Sequence, residues 1–169
     1  MNKRVYIDQS GFDSKLELEY GWTLVGQRCY GERTGKRRSR VSLIGAQRQN
    51  KPIAMMSFPG TCNRAVFHLW AREELLPEIE KGDIVILDNA SIHKSKYFIE
   101  LIESVGATVL WLPPYSPDFN PIEKTWANIK RVFRRIKQSI DDLHHAVDLA
   151  VSNYMAQYHH ASKIYGKTD

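Results

Sequence analysis

Residues 112–131, LPPYSPDFNPIEKTWANIKR, place four prolines close ahead of a basic helix. Proline fixes φ and lacks a backbone N–H, so the first three prolines hold the chain extended and prevent a helix from starting early. Asn120 then fits an N-cap, with Pro121 as the first helical residue and Glu123 as the third. The stretch therefore predicts a rigid lead-in that fixes where the Glu123 side chain points.

Two interpretations of Glu123 are open at this point. Asn-x-x-Glu is the pattern of a capping box, in which the glutamate accepts a hydrogen bond from the backbone N–H of the cap residue. In that case Glu123 is a structural residue. The alternative is that the prolines hold this carboxylate in place because it takes part in chemistry.

The composition is that of a globular domain. The chain has 169 residues, 43% hydrophobic and 25% charged, enough for one domain with its own core. No run of about 18 apolar residues occurs, so neither a membrane span nor a membrane partner is expected. Cys29 and Cys62 have no metal-ligand or disulfide-framework spacing, so we expect free thiols in a reducing cytoplasm.

Charge is distributed unevenly along the chain. The net charge is +5, with +7 on residues 1–137 and −2 on residues 138–169. Two runs of basic residues, at 28–40 and 124–137, dominate this charge. Basic runs are often solvated surfaces, but two of them in a protein of pI about 9.2 favour a nucleic-acid partner. From these two runs we expect DNA contacts by Arg37, Arg38, Arg40, Lys124, Lys130, Arg131 and Arg134.

The order of predicted elements indicates a mixed α/β domain. β-branched and aromatic runs predict strands, and apolar residues at helical spacing predict helices. The run DIVILDN, residues 83–89, is almost continuously apolar, as is typical of a buried central strand. In chain order we predict strands at 4–10, 39–47 and 52–58, a helix at 64–79, a strand at 83–89, a helix at 94–106, a strand at 108–112, and helices from Pro121 and Ser139.

Three acidic residues follow strands or open a helix in this scheme. Asp8 and Asp88 lie at the ends of strands, and Glu123 opens the helix that follows the strand at 108–112. Sites in open α/β sheets form at the ends of central strands. Clustered carboxylates repel one another unless a cation joins them, and hard oxygen ligands suit Mg²⁺ or Mn²⁺. Each acid alone has a structural alternative, a strand-end cap for Asp8 and a turn for Asp88.

Four segments together carry a resemblance to a known family: YIDQSGF, GWTLVGQ, LDNASIH and LPPYSPDFNPIEKTW. Over roughly residues 3–136 they resemble the catalytic domain of mariner-type insertion-sequence transposases, members of the DDE transposase and integrase superfamily. The proline block before Glu123 and the Asp-Asn-x-x-x-His motif at Asp88 are specific. The 34 residues between Asp88 and Glu123 match the family spacing.

The resemblance implies a ribonuclease H-like fold, a mixed sheet flanked by helices, in residues 1–137. The helix in residues 138–169 is expected to pack on the same domain. It also implies that Asp8, Asp88 and Glu123 hold Mg²⁺ or Mn²⁺, as a pair of ions. Asn89, His93 and Asn120 would lie around that site, although a simple hydrogen bond at a helix entry explains His93 equally well.

The implied activity is DNA transposition. The domain would hydrolyse a phosphodiester at a transposon end and transfer the freed strand into target duplex DNA, at TA dinucleotides in this family. A homodimer assembled on DNA and a prokaryotic, nucleoid-associated location follow from the same resemblance.

The sequence departs from the family in two ways. Relatives commonly carry Glu after the first aspartate, where this chain has Gln9. Family members also carry N-terminal helix-turn-helix modules, whereas Asp8 here lies almost at Met1. We therefore expect end recognition to come from a separate subunit or an N-terminal domain, and weak, sequence-indifferent binding by this chain. Two alternatives remain: a ribonuclease H- or resolvase-like nuclease, and an inactive relic that binds DNA or a partner.

Overall fold

The computed structural model describes residues 3–13, 39–113 and 120–165, in which five strands form one mixed sheet. The spatial order is β3-β2-β1-β4-β5. β2 runs antiparallel to β1 and β3, whereas β4 and β5 run parallel to β1. The strands are β1 (Arg4–Asp13), β2 (Arg40–Arg48), β3 (Lys51–Pro59), β4 (Ile84–Leu87) and β5 (Thr108–Trp111).

Four helices alternate with or follow these strands. They are α1 (Arg64–Trp70), α2 (Lys96–Ser104), α3 (Ile122–Ile136) and α4 (Leu143–Tyr165). α1 continues through a π-helical turn, Ala71–Leu75, and a 3₁₀ turn, Leu76–Glu78, which carries a proline in its first turn. The predicted α/β class and element order are confirmed. None of the helices in the described residues has both the length and the apolar character to cross a membrane.

The start of α4 differs from the sequence prediction. The helix begins at Leu143, not at Ser139. Asp142 explains the difference, because its Oδ1 accepts the His145 backbone N–H at 2.6 Å while its carbonyl accepts that of Ala146 at 3.1 Å. An aspartate that satisfies the first free N–H groups of a helix is a favoured N-cap.

Each face of the sheet has its own hydrophobic cluster. On one face, Phe67, Trp70, Phe98 and Ile102 from α1 and α2 pack on β1, β2 and β4. On the other, the apolar face of α3 packs with α4 against β1 and β2. That face consists of Ile122, Trp126, Ile129 and Phe133, all buried, with Ile136 at its edge. Burying each such side chain fully contributes ~1.5–3 kcal/mol, so α3 is held firmly in register over β1.

Alternation along β1 decides which face each side chain joins. Val5 and Ile7 lie in the cluster with α1 and α2, whereas Phe12 lies in the cluster with α3 and α4. Asp8 has the same parity as Phe12 and forms a hydrogen bond to Trp126 of α3. The strand period therefore brings the Asp8 carboxylate under the helix that begins beside Glu123.

A bulge between β2 and β3 makes room for Trp126. The pairing shifts between Ile44 and Ala46, and Ala54 adopts a left-handed φ of 50° at this point. A Cβ added at Gly45 would collide with Met55 Sδ and lie 3.2 Å from the Trp126 ring. A larger residue at position 45 would require the Met55 side chain to move and the Trp126 ring to shift slightly, so glycine suits the close approach of the indole to the strand.

Candidate active site

Asp8 is the most perturbed carboxylate of the site. Its Oδ2 accepts a hydrogen bond of 2.9 Å from Trp126 Nε1. The pKa of Asp8 is raised from 3.8 to about 6, mainly by burial and further by the negative charges of Glu123 and Asp88, against the lowering effect of hydrogen bonds from Gln9 and Trp126. A carboxylate that is partly desolvated and faces other acids is one that a cation would stabilise in its charged form.

Asp88 follows β4, and its pKa is shifted downward, in contrast to that of Asp8. Its Oδ1 accepts from the Ala90 backbone N–H at 3.0 Å and lies 2.6 Å from His93 Nδ1. The hydrogen bond from His93 is the main reason that the pKa of Asp88 lies below its usual value. Both contacts use Oδ1, and no residue of the described ranges forms a hydrogen bond to Oδ2. That oxygen is available to a cation or to water.

His93 is itself oriented by Gln9. The ring is buried, packs against Phe67 with ring centroids 4.7 Å apart, and places Nε2 2.9 Å from Gln9 Nε2. An amide nitrogen can only donate, so His93 Nε2 accepts and the ring proton lies on Nδ1, facing Asp88. Gln9, His93 and Asp88 thus form one chain of hydrogen bonds. His93 contacts Asp88, as a residue around the acidic site would. Its carbonyl also accepts the backbone N–H of Ser95, the N-cap of α2, as a helix-entry residue would.

Glu123 lies in the first turn of α3, where its backbone N–H donates to the Asn120 carbonyl at 3.2 Å. Its side chain is exposed and near enough to Asp8 to act on its pKa. The predicted cap is wrong in one respect, because no side chain caps α3 and Pro121, with helical φ and ψ, occupies the cap position. The reciprocal side-chain hydrogen bonds of a capping box are therefore not formed, and the capping-box interpretation of Glu123 is not supported.

Asn120 has a tertiary contact in place of the predicted cap. The side chain is buried, and Nδ2 donates a long hydrogen bond of 3.4 Å to the carbonyl of Ile7. Its Oδ1 is buried without a hydrogen-bond partner among the described residues. The residue before α3 is thereby tied to the residue before Asp8, which joins the two elements that carry acidic side chains.

Asp8 and Asp88 line one cleft of about 320 Å³, together with Gln9, His93 and Arg40. Carboxylate oxygens of this kind are the donors that Mg²⁺ and Mn²⁺ prefer, so the chemistry of the donor set fits such an ion. Within the described ranges, however, no three His, Cys, Asp or Glu side chains are grouped tightly enough to hold a metal. Asp8 and Asp88 are brought together at the cleft, whereas Glu123 does not line it and is linked to the site by its charge effect on Asp8.

The remaining predicted site residues lie in different places. Asn89 is exposed directly after Asp88. Lys124, Arg131 and Arg134 are exposed on α3 and Lys130 is partly exposed there, so a basic surface continues from Glu123 along the helix. Arg40 lines the cleft itself. Arg37, Arg38 and Cys29 lie outside the described residues, and Cys62 is a free thiol at the cleft.

Three residues of the site were not singled out by the sequence as parts of it. Gln9 orients His93, Trp126 donates to Asp8, and Gly45 leaves space for Trp126. Trp126 lies three residues after Glu123, and its position on the apolar face of the helix indicated only a core residue. Its indole N–H is the polar group that a buried tryptophan must satisfy, and Asp8 satisfies it.

A family model described as "DDE superfamily endonuclease" matches residues 3–145. Among solved structures, a pre-cleavage transpososome of the Mos1 transposase is similar with a TM-score of 0.57 and 16% identity, over 91% of this chain and 55% of that chain. The catalytic core domain of the BIV integrase is similar with a TM-score of 0.52 and 12% identity, over 87% and 79% of the two chains.

A chain of the simian T-cell lymphotropic virus intasome in complex with the PP2A regulatory subunit B56 gamma is similar with a TM-score of 0.58 and 12% identity, over 88% of this chain and 46% of that chain. The chain thus spans about half the length of the transposase and intasome chains it matches. No curated protein matches the sequence significantly.

These likenesses show a ribonuclease H-like fold, a five-stranded mixed sheet flanked by helices. The family match covers most of the chain, including Asp8, Asp88 and Glu123. The resemblance to the catalytic domains of DDE transposases is confirmed, and the chain belongs to the DDE superfamily of endonucleases.

Proposed function

We propose that the chain is the catalytic domain of a divalent-metal-dependent DNA transposase. The observation that carries this proposal is the cleft shared by Asp8 and Asp88, with Glu123 near enough to act on the pKa of Asp8. A partly buried carboxylate whose charge is disfavoured by two nearby acids has a physical use when a cation neutralises them. Family membership supplies the reaction class, cleavage of a phosphodiester.

Asp8, Asp88 and Glu123 would hold Mg²⁺ or Mn²⁺. A pair of such ions activates water and stabilises the attacking and leaving oxygens of a phosphodiester displacement. Asp88 would offer Oδ2, since His93 and Ala90 already occupy Oδ1. Trp126 would keep the Asp8 carboxylate turned toward α3, and Glu123 would swing from its exposed position to complete the set.

Cleavage at a transposon end would release a strand with a 3′-hydroxyl, which the same site would then join to target DNA. The exposed basic residues of α3 beside Glu123 would bind the backbone phosphates. Insertion at TA dinucleotides, assembly as a homodimer on duplex DNA and action on the nucleoid of a prokaryotic cytoplasm complete the proposal. α4 packs with α3 on the sheet, which supports residues 138–169 as an extension of this domain.

Recognition of the transposon ends would fall to a helix-turn-helix domain or subunit outside the residues described. The similar transposase chain is nearly twice as long as the part that matches, which leaves room for such a module. The chain alone would therefore bind duplex DNA weakly and without sequence preference, through its basic surfaces.

Nicking of a supercoiled plasmid in Mn²⁺ tests the proposal. We expect nicking by the chain, none in a chelator, and at least a hundredfold loss in each of the Asp8→Ala, Asp88→Ala and Glu123→Ala variants, because each removes a ligand. Glu103→Ala, an exposed acid of α2 outside the cleft, is the matched control and should nick normally.

The same assay distinguishes the alternatives. Preferential cutting of an RNA–DNA hybrid would indicate a ribonuclease H-like nuclease. Metal-independent DNA binding without any nicking, by the chain supplied with Mg²⁺ or Mn²⁺, would indicate a relic that only binds.

A further inference from the structure

Arg40, the first residue of β2, lies across Gly11 of β1. A Cβ added at Gly11 would be 2.6 Å from one terminal guanidinium nitrogen of Arg40, 3.0 Å from its Cζ and 3.2 Å from its Nε. Real Cβ atoms essentially never show a contact as short as the first of these, so a side chain at position 11 would shift the flexible guanidinium end of Arg40. The absence of a side chain at Gly11 therefore determines where the Arg40 charge sits.

Among the described residues, no acid neutralises the Arg40 guanidinium. Asp13 stands directly opposite Arg40 in the β1–β2 ladder, yet within residues 3–13, 39–113 and 120–158 no carboxylate lies at ion-pair distance from Arg40. A cross-strand pair of opposite charge would ordinarily form. The side chain instead lines the cleft, where it is the one lysine or arginine among the described lining residues.

The position of Arg40 is on the other side of β1 from the Asp8 carboxylate. Gly11 has the parity of Ile7, which belongs to the α1 and α2 face, whereas Asp8 contacts Trp126 of α3. Arg40 thus reaches the cleft from one side of β1 while Asp8 reaches it from the other. The cleft, at about 320 Å³, is at the lower end of the range for small-ligand sites, about 300–1,000 Å³, which suits a single backbone phosphate with its sugar.

A planar guanidinium is the group that binds phosphate by two parallel hydrogen bonds. We propose that the cleft is a subsite for a single backbone phosphate of the bound DNA strand, that Arg40 is its phosphate-binding residue, and that Gly11 is the positioning residue that aims Arg40. This inference rests on the proposed function for its DNA substrate. It adds an attachment point, separate from the α3 surface, that would offset the repulsion between the strand and the acidic residues.

A double-mutant cycle on duplex binding without metal tests the proposal. Loss of one phosphate contact lowers the slope of log K against log salt by about 0.9, which is about an eightfold loss of affinity near 0.1 M salt. We expect this loss in Arg40→Ala and, because its Cβ displaces the guanidinium, in Gly11→Ala. In the doubly substituted protein the loss should be no greater than in either variant alone, since both changes remove the same contact.

Two controls separate this result from general effects of charge and folding. Arg72→Ala removes an exposed arginine that lies outside the cleft, and it should leave the salt slope unchanged. Arg40→Lys keeps the charge and should recover part of the affinity. A purely structural effect of Gly11→Ala would weaken binding in the Arg40→Ala background as well, and that additive outcome would overturn the proposal, as would an unchanged slope in Arg40→Ala.

The result of the Gly11–Arg40 double-mutant cycle does not depend on whether the protein cuts DNA. A non-additive cycle together with no nicking under any condition would sustain the phosphate subsite and refute the proposed nuclease function. Normal Mn²⁺-dependent nicking with an additive cycle would do the reverse.

Discussion

Asp8→Asn is expected to stabilise the metal-free protein at neutral pH. Burial, reinforced by Glu123 and Asp88, raises the pKa of Asp8 from 3.8 to about 6. The folded state therefore disfavours the charged carboxylate more than the unfolded chain does. Asparagine removes the charge but keeps an oxygen that can accept from Trp126 Nε1, the hydrogen bond that Asp8 makes now.

The size and sign of the effect follow from the two pKa values. Between 3.8 and about 6 the folded protein holds a proton that the unfolded chain has released, so the free energy of unfolding falls as pH rises through this window. Above pH 6, the raised pKa of Asp8 lowers the free energy of unfolding by about 3 kcal/mol in total. Because Asp8 keeps some contact with solvent, we expect about 1–3 kcal/mol of added stability in Asp8→Asn.

Urea denaturation in a chelator, from pH 4 to pH 8, measures this directly. The two proteins should be equally stable near pH 4, and Asp8→Asn should become progressively more stable toward pH 7. Adding Mn²⁺ should stabilise only the unsubstituted protein, since binding to the folded state alone raises stability. Equal stability at pH 7, or a gain that is the same at every pH, would refute the electrostatic explanation.

Three further outcomes are expected. Trp126→Phe removes the donor to Asp8 and should raise the pKa of that carboxyl further by about one to two units, given ~1.5–3 kcal/mol for a hydrogen bond to a charged group, as measured by ¹³C NMR titration. Lys130→Ala with Arg134→Ala should lower the salt slope of duplex binding by roughly 2, near 0.9 per contact, and an unchanged slope would make these residues a solvated surface. Asp83→Ala removes the buried carboxylate that pairs with Arg48 and leaves that guanidinium, among the described residues, only the exposed Glu80 as an ion-pair partner, at 3.6 Å. The change should cost ~1–3 kcal/mol of unfolding free energy, with much of the loss recovered when Arg48 is replaced by Met as well.

Sequence reasoning succeeded where local periodicity decides the structure. The apolar run at residues 83–89 contains the buried strand β4, and the helical spacing from Ile122 to Phe133 is the buried face of α3. Asp88 directly follows β4, as predicted. The prediction for Asp8 is wrong in its position, because β1 runs on to Asp13 and Asp8 lies within the strand, although both residues line one cleft. The β2–β3 turn, at Gln49 and Asn50 with positive φ, was likewise legible from its polar residues.

Prediction from the sequence failed where a contact between distant residues replaces a local one. Asn120 fits a cap by pattern, yet its side chain bonds to Ile7, 113 residues earlier in the chain. The Gln9–His93 bond spans 84 residues, and the approach of Arg40 to Gly11 depends on strand register. Such partners depend on the tertiary arrangement, which a single sequence pattern does not encode.

The central claim is that Asp8, Asp88 and Glu123 bind divalent ions at one site. Anomalous diffraction from Mn²⁺-soaked crystals tests it most directly. We expect a manganese peak within bonding distance of carboxylate oxygens of Asp8 and Asp88, with Asp88 using Oδ2 and with Glu123 drawn toward the ion. A peak elsewhere, or a Glu123 carboxylate more than about 10 Å from the other two, too far for ions about 4 Å apart to bridge, would contradict it.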